Sequence, residues 1–264
     1  MQKIRLDQHL VNLGLAESRS KAKASIQSGL IKVDGQVVTK PSQLVPSDCS
    51  LTVIADLEFV SRGGLKLKAA LEVFMIDPAG KVCADVGAST GGFTDCLLQR
   101  GAGKVYAIDV GKDELHPSLR TNPAVVVMEK TNARQLHGLP EPVSLISVDV
   151  SFISLDFILP VVLGWFRGTP GDVIALVKPQ FEAGRELVKK HKGVVRDKAV
   201  HAQVLEQVMT FSQKLGYTVV GLIPSPITGS DGNVEFLLWL KTNTTQGSLD
   251  IPTTIEQALG AAVE

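Results

Sequence analysis

Seven short apolar runs punctuate residues 82–241 of this 264-residue chain: VCADVGA (82–88), KVYAIDV (104–110), VVVME (125–129), LISVDV (145–150), DVIALVK (172–178), TVVGLIP (218–224) and EFLLWLK (235–241). The first five are separated by segments long enough for crossovers. Parallel neighbours need such crossovers, usually through a helix, so the spacing predicts a parallel sheet with helices on both faces. Only a loop beginning SPITGSDGN parts the sixth run from the seventh, too short for a helical crossover. Those two strands are expected to pair as an antiparallel hairpin.

The first run opens into Asp85-Val86-Gly87-Ala88-Ser89-Thr90-Gly91-Gly92-Phe93-Thr94. Glycines let the backbone turn tightly and approach a ligand, and the helix that follows offers its N-terminal N–H groups. A polar ligand is therefore expected against Gly87, Ala88, Ser89, Thr90, Gly91 and Gly92. The spacing is G-x-x-x-G-G, not the G-x-G-x-x-G of dinucleotide sites, and Asp85 stands just before the turn. Asp109 closes the second strand, where a carboxylate accepts hydrogen bonds from ribose hydroxyls. Both NAD and S-adenosylmethionine carry a ribose, so Asp109 does not choose between them. In a doubly wound sheet the residues after the third strand, Glu129 to Asn132, would lie over an adenine.

Residues 1–56 differ in pattern. Through Asp48 they hold seven basic and four acidic side chains, a net of +3, whereas Lys+Arg and Asp+Glu balance at 27 each over the whole chain. That balance excludes a uniformly basic nucleic-acid coat but permits a local basic patch. Leu6, Leu10, Val11 and Leu13 predict a first helix ending at Gly14. Ser18 caps a second through Ala22, Ile26 and Leu30. Asp34-Gly35 between short β-branched runs is a hairpin signal, and SLTVIA supplies a closing strand. Asp56 to Gly64, with its Gly pair and mixed charge, reads as a linker.

Three cysteines without C-x-x-C spacing and five scattered histidines imply neither a disulfide framework nor a metal site. The most apolar stretch, Val143 to Phe166, is broken by Asp149, Asp156 and Pro160, and no membrane span is expected. The N-terminus has no export signal, so the expected compartment is the cytoplasm.

The order helix, helix, then LIKVDGQVVTKPSQLVPSDCSLTV resembles the S4 RNA-binding domain. In that family the second helix and following strand present basic side chains to structured RNA, which maps onto Arg19, Lys21, Lys23 and Lys32. Arg5 and Arg62 join the expected RNA-binding set. Such contacts supply affinity through phosphate neutralisation and shape.

Polar residues also fall at strand ends, where apolar ones are expected: Asp149 in SVDVSFISL, Lys178 in ALVKPQFE and Glu235 in GNVEFLLWL, with Lys66 in SRGGLK preceding the sheet. Buried unpaired charge is costly, so such a set either pairs internally or serves chemistry. The segments SRGGLK, DVGASTGGFTD, VDVSFISL, LVKPQFE and GNVEFLLWL are similar to the TlyA family, often labelled haemolysins, in which an S4 domain is fused to an FtsJ-like ribosomal RNA methyltransferase. The terminal hairpin also resembles the seven-stranded methyltransferase sheet more than a dehydrogenase.

The resemblance implies a seven-stranded Rossmann-like α/β sheet behind a small α+β S4 domain, with S-adenosylmethionine as methyl donor and a ribose 2′-hydroxyl of ribosomal RNA as acceptor. Within the family a cytidine is the usual acceptor. By motif the family's Lys-Asp-Lys-Glu tetrad falls on Lys66, Asp149, Lys178 and Glu235. Donor-binding residues are expected at Asp85, Gly87 through Gly92, Asp109, Val110, Thr131, Asn132 and Asp149. The chemistry demands in-line alignment and loss of a hydroxyl proton, which a part-neutral lysine can accept. This points to Lys178 as acceptor, Asp149 between it and the donor, and Lys66 with Glu235 positioning the ribose. The segment EAGRELVKKHKGVVRD (182–197), with Arg185, Lys189, Lys190, Lys192 and Arg196, is expected to be a basic loop that clamps RNA.

The expected domains are 1–56 (S4-like), 57–64 (linker), 65–243 (methyltransferase) and 244–264 (polar tail with a short helix). Partners are ribosomal RNA or ribosomal subunits, without a membrane. Competing readings are a NAD-dependent dehydrogenase, a non-catalytic RNA-binding assembly factor and a haemolysin.

Overall fold

The computed structural model describes residues 3–27, 29–54, 58–191, 193–229 and 231–262. The N-terminal part runs β1 (Lys3–Arg5), α1 (Leu6–Asn12), α2 (Arg19–Gln27), β2 (Ile31–Val33), β3 (Gln36–Val37), β4 (Leu44–Pro46) and β5 (Leu51–Val53). The Lys21 N–H donates to Ser18 Oγ at 3.2 Å, so Ser18 satisfies a donor in the first turn of α2. Asp34 (φ 49°) and Gly35 (φ 82°) are both left-handed, the two-residue turn that matches strand twist, and they join β2 to β3. β5 pairs on the other side of β2. Leu6, Leu10, Ala22, Ile26, Ile31, Val33 and Val45 close this small core. The sequence reading did not anticipate the β1–β4 pair, which is antiparallel and only three residues long. Runs this short carry no periodicity to read.

The larger part begins with α3 (Gly63–Val73) and continues through β6 (Val82–Val86), α4 (Gly92–Gln99), β7 (Lys104–Ile108), α5 (Pro117–Arg120) and β8 (Val125–Met128). Then follow β9 (Leu145–Val148), α6 (Leu159–Leu163), β10 (Gly171–Val177), α7 (Pro179–Glu182), α8 (Arg185–Lys190), α9 (Lys198–Lys214), β11 (Thr218–Pro224), β12 (Phe236–Thr242) and α10 (Ile251–Ala261). Seven strands form one sheet in the order β11-β12-β10-β9-β6-β7-β8. β6 through β10 are mutually parallel, and β12 is antiparallel to both β10 and β11. The terminal hairpin thus inserts its second strand between the first strand and the body of the sheet.

Side chains alternate faces along each strand. Cys83, Val105, Leu145, Ile174 and Leu237 pack under α3 and α4, while Ala84, Tyr106, Ile146, Val173 and Leu238 pack under α6 and α9. The predicted C-terminal helix is present as α10. Ile255 and Ala258 join the α9-side core, which extends the packed unit beyond residue 243. The basic segment expected as a loop is interrupted by a helix, α8, with the end of α7 at its start. Among the described residues no helix is long and apolar enough to cross a membrane.

Candidate active site

The loop after β6 is held by backbone geometry. Gly87 has φ +88°, and a Cβ there would stand 2.3 Å from the Asp149 carbonyl oxygen, so the β6 and β9 chain ends approach as only glycine permits. Gly91, at φ +97°, is the N-cap of α4. Asp109 braces this loop: its Oδ2 accepts the Ser89 N–H at 2.8 Å and its Oδ1 accepts the Gly111 N–H at 2.7 Å.

Asp85 lies beneath the loop, fully buried, where it accepts from Thr94 Oγ1 (2.7 Å) and Ser147 Oγ (3.0 Å). The Ser147 bond follows from register, because Asp85 and Ser147 are partners on adjacent strands. Burial pushes the Asp85 carboxyl up to about 7, against the lowering effect of its two hydroxyl donors.

A cavity of about 640 Å³ opens above the loop, at the carboxyl ends of the parallel strands. Gly87, Ala88, Ser89, Thr90, Gly92 and Asp149 line it, as do Lys66, Lys178 and Glu235. Asp85, Gly91, Asp109, Val110, Thr131 and Asn132 are outside its lining. Val110 points to solvent, Thr131 donates to the Glu129 carbonyl, and Asn132 accepts the Arg134 N–H. Glu129 accepts from the N–H groups of Asp113, Glu114 and Leu115 and pairs with Arg120; that guanidinium first, then the backbone donors, holds it near 2 against the effect of burial.

The four strand-end residues form two lysine–carboxylate pairs. Lys66 on α3 donates to Glu235 Oε2 at 2.5 Å, and both side chains are buried. Lys178, the N-cap of α7, stands 2.5 Å from Asp149 Oδ1 and donates to Ser151 Oγ at 3.1 Å. Burial alone would raise the Asp149 carboxyl, but the charges of Lys178 and then Lys66 outweigh it and keep the group below its usual range. Asp149 therefore stays anionic at the cavity wall, 21% exposed. Ser151 lies within a motif the sequence reading used, but its contact with Lys178 spans 27 positions and has no local signature.

The N-terminal part contributes to the same cavity through Lys21, Lys23, Gln27 and Thr39. Lys21 also pairs with Glu17, Lys23 is exposed and Lys32 is half-buried. Arg5 binds Asp7 through both carboxylate oxygens (3.0 and 2.9 Å), and Arg19 binds it at 2.9 Å. Asp7 is fully buried while the two arginines are half exposed, so each guanidinium is anchored on its inner side. The two guanidiniums, Arg5 before Arg19, hold the Asp7 carboxyl well below the usual range despite burial. Arg62 donates to the Thr228 carbonyl at 3.2 Å and packs against Gly29, where a Cβ would stand 2.0 Å from Arg62 Cδ. Lys189 is exposed on α8. The side chains of Arg185 and Lys190, and all of Lys192 and Leu57, lie outside the described residues.

A Gly-cornered loop at the head of α4, beside a cavity edged by Asp149 and Glu114, suits a cationic, ribose-bearing donor. Fold and site together define an S-adenosylmethionine-dependent methyltransferase. Residues 59–242 match the FtsJ-like methyltransferase family and residues 4–48 the S4 domain. The chain belongs to the FtsJ-like methyltransferases, in the TlyA group that carries an S4 domain. It is 51% identical over 247 residues to the Bacillus subtilis candidate rRNA methyltransferase YqxC (90% of this chain, 86% of the relative). It is 46% identical over 247 residues to the Mycobacterium tuberculosis 16S/23S rRNA (cytidine-2′-O)-methyltransferase TlyA (92% and 91%). A solved Streptococcus thermophilus structure, described as a candidate hemolysin, superposes with a TM-score of 0.76 at 42% identity over 98% of this chain and 95% of that one. Family membership removes the dehydrogenase reading.

Proposed function

We propose that this protein transfers a methyl group from S-adenosylmethionine to the ribose 2′-hydroxyl of a cytidine in ribosomal RNA, within a ribosomal subunit in the cytoplasm. The observation that carries the reading is the convergence on one cavity of both lysine–carboxylate pairs, the glycine loop and the basic α2 face. The name of the 51% identical relative supports ribosomal RNA as substrate, and that of the 46% identical relative supports the cytidine 2′-hydroxyl as acceptor. Residues 1–56 dock the RNA, 57–64 join the parts, 65–243 carry out transfer and 244–264 are a polar tail whose helix α10 packs on the core.

The bound donor supplies an electrophilic sulfonium methyl. Gly87 through Gly92 would hold it, with the Asp149 carboxylate at the cavity wall available to its positive charge. The acceptor hydroxyl is a weak acid, so in-line placement and proton removal are what the protein must provide. After its ammonium releases a proton to solvent, the neutral Lys178 Nζ accepts the hydroxyl proton, and the Asp149 carboxylate stabilises the ammonium that re-forms. Glu235 fixes Lys66 Nζ where it holds the ribose. Lys21, Lys23 and Lys32 neutralise phosphates of the docked RNA, joined by Arg5, Arg19, Arg62 and Lys189.

The test is labelled methyl transfer to unmethylated small and large ribosomal subunits by wild type and Lys178→Ala, with products mapped to base or ribose. Ribose label that depends on Lys178 is expected. Wild-type transfer by the variant would refute the proton-acceptor role. Retained donor binding with no label on either subunit would favour a non-catalytic assembly factor.

A further inference from the structure

The single turn α7 grips the segment after Asp149 at two points. At its start Lys178 contacts Asp149 and Ser151. At its end Glu182 accepts from Ser154 Oγ at 2.7 Å through Oε2 and from the Leu155 N–H at 2.9 Å through Oε1. Ser154 in turn caps the short 3-10 turn Leu155–Phe157 by accepting the Asp156 N–H. Between the two grips the chain arches through Phe152, which is 90% exposed and has φ +64°. A bulky residue in the left-handed region persists only where its surroundings over-determine the backbone. Here the surroundings are the two grips, together with the Phe181 ring, centred 4.9 Å from that of Phe152.

Taking Lys178 and Asp149 as the reacting pair, we propose that Glu182 is a positioning residue that latches the 150–155 arch onto α7, so that Ser151 and Asp149 meet Lys178 in reactive geometry. The carboxylate is half-buried, is outside the cavity lining and, among the described residues, has no cationic partner; both of its oxygens accept from the arch. It sits four residues beyond Lys178, at the opposite end of the same helical turn. Loss of the latch frees the far end of the arch while leaving the glycine loop and its bracing by Asp109 in place. Donor binding and proton transfer are thereby separable.

The experiment compares Glu182→Ala, Glu182→Gln and Ser154→Ala. Glutamine keeps an oxygen for the Leu155 N–H and an amide that can donate to Ser154 Oγ, so it is expected to restore function. Glu182→Ala is expected to lower kcat about tenfold or more, since small misplacements at a reacting centre cost that much. KM for ribosomal RNA, S-adenosylhomocysteine affinity and Tm should stay near wild type. Amide hydrogen exchange over 150–157 should quicken in Glu182→Ala, less in Ser154→Ala, and not in Glu182→Gln. Unchanged kcat and exchange in Glu182→Ala would overturn the latch, as would a glutamine variant as impaired as alanine. Joint loss of donor affinity and Tm would mark a general structural role instead. Should wild type methylate no ribosomal RNA, the functional reading fails, and exchange over 150–157 still decides on the latch.

Discussion

Lys66 Nζ and Glu235 Oε2 lie 2.5 Å apart although 169 positions separate them in the chain. With side-chain exposures of 10% and 3%, the pair is desolvated. Removing one partner of a buried pair leaves an uncompensated charge, at about 3–5 kcal/mol, whereas replacing both with apolar groups is often nearly neutral. Lys66→Met and Glu235→Leu should each lose stability in that range by urea unfolding, and the double variant should recover most of it. Methyl transfer should be abolished in all three. Single variants within 1 kcal/mol of wild type would show that the pair is solvated in solution.

Asp85 sets a pH dependence. Its folded-state pKa of about 7 lies above the ordinary 3.8, so between those values the folded chain holds a proton that the unfolded chain has lost. The stability it contributes at low pH therefore declines as pH rises from about 4 to about 7, by an amount on the order of a few kcal/mol, and is flat above that. The Tm of Asp85→Asn relative to wild type should climb from pH 5 to pH 7.5. A constant difference across that window would place the carboxyl pKa in its ordinary range.

Gly87→Ala combines a positive φ with a Cβ 2.3 Å from the Asp149 carbonyl. The β6 and β9 ends must part to admit it, which displaces both the donor loop and Asp149. Titration calorimetry with S-adenosylhomocysteine should register a loss of at least about tenfold in affinity, a size consistent with backbone strain of 1–3 kcal/mol. Wild-type affinity would mean that the loop is more pliable than its contacts indicate.

The basic face of α2 is separable from its scaffold. Lys23 is exposed and borders the cavity, so Lys23→Ala should weaken RNA binding and reduce the slope of log K against log salt by about 1, with Tm unchanged. Asp7→Ala, by contrast, strips the buried anchor from Arg5 and Arg19 and should lower Tm. An unaltered salt slope in Lys23→Ala would remove that lysine from the RNA surface.

The seven strands were legible because each is a compact apolar run bounded by turn residues, and the Asp34-Gly35 turn because its backbone demands those residues. The glycine loop was legible for the same reason. The division of labour around it was not. Asp109 stands where a ribose ligand is expected, and its oxygens also accept two backbone N–H groups of the loops; Asp85 lies under the loop, held by Thr94 and Ser147. Both facts depend on strand register and packing. Ser151 and Glu182 passed unremarked because their partners stand 27 or 28 positions away, across the gap between β9 and α7. Lys66, Asp149, Lys178 and Glu235 stood out by motif, and their pairing emerged only when the sheet brought α3, β9, β10 and β12 to one edge.

The reversed direction of β12 fixes when the site comes into being during synthesis. Because this strand runs against its neighbours, its beginning, not its end, meets the carboxyl edge of the sheet, and Glu235 arrives there only as β12 threads between β10 and β11. A ribosome making this chain emits Lys66, Asp149 and Lys178 long before their fourth companion. Until the last strand is seated, Lys66 has no counter-charge from Glu235 and β10 has an open flank. A partly made chain can therefore collapse around the glycine loop without holding the full set of charges, and completion of the sheet and completion of the site become a single event.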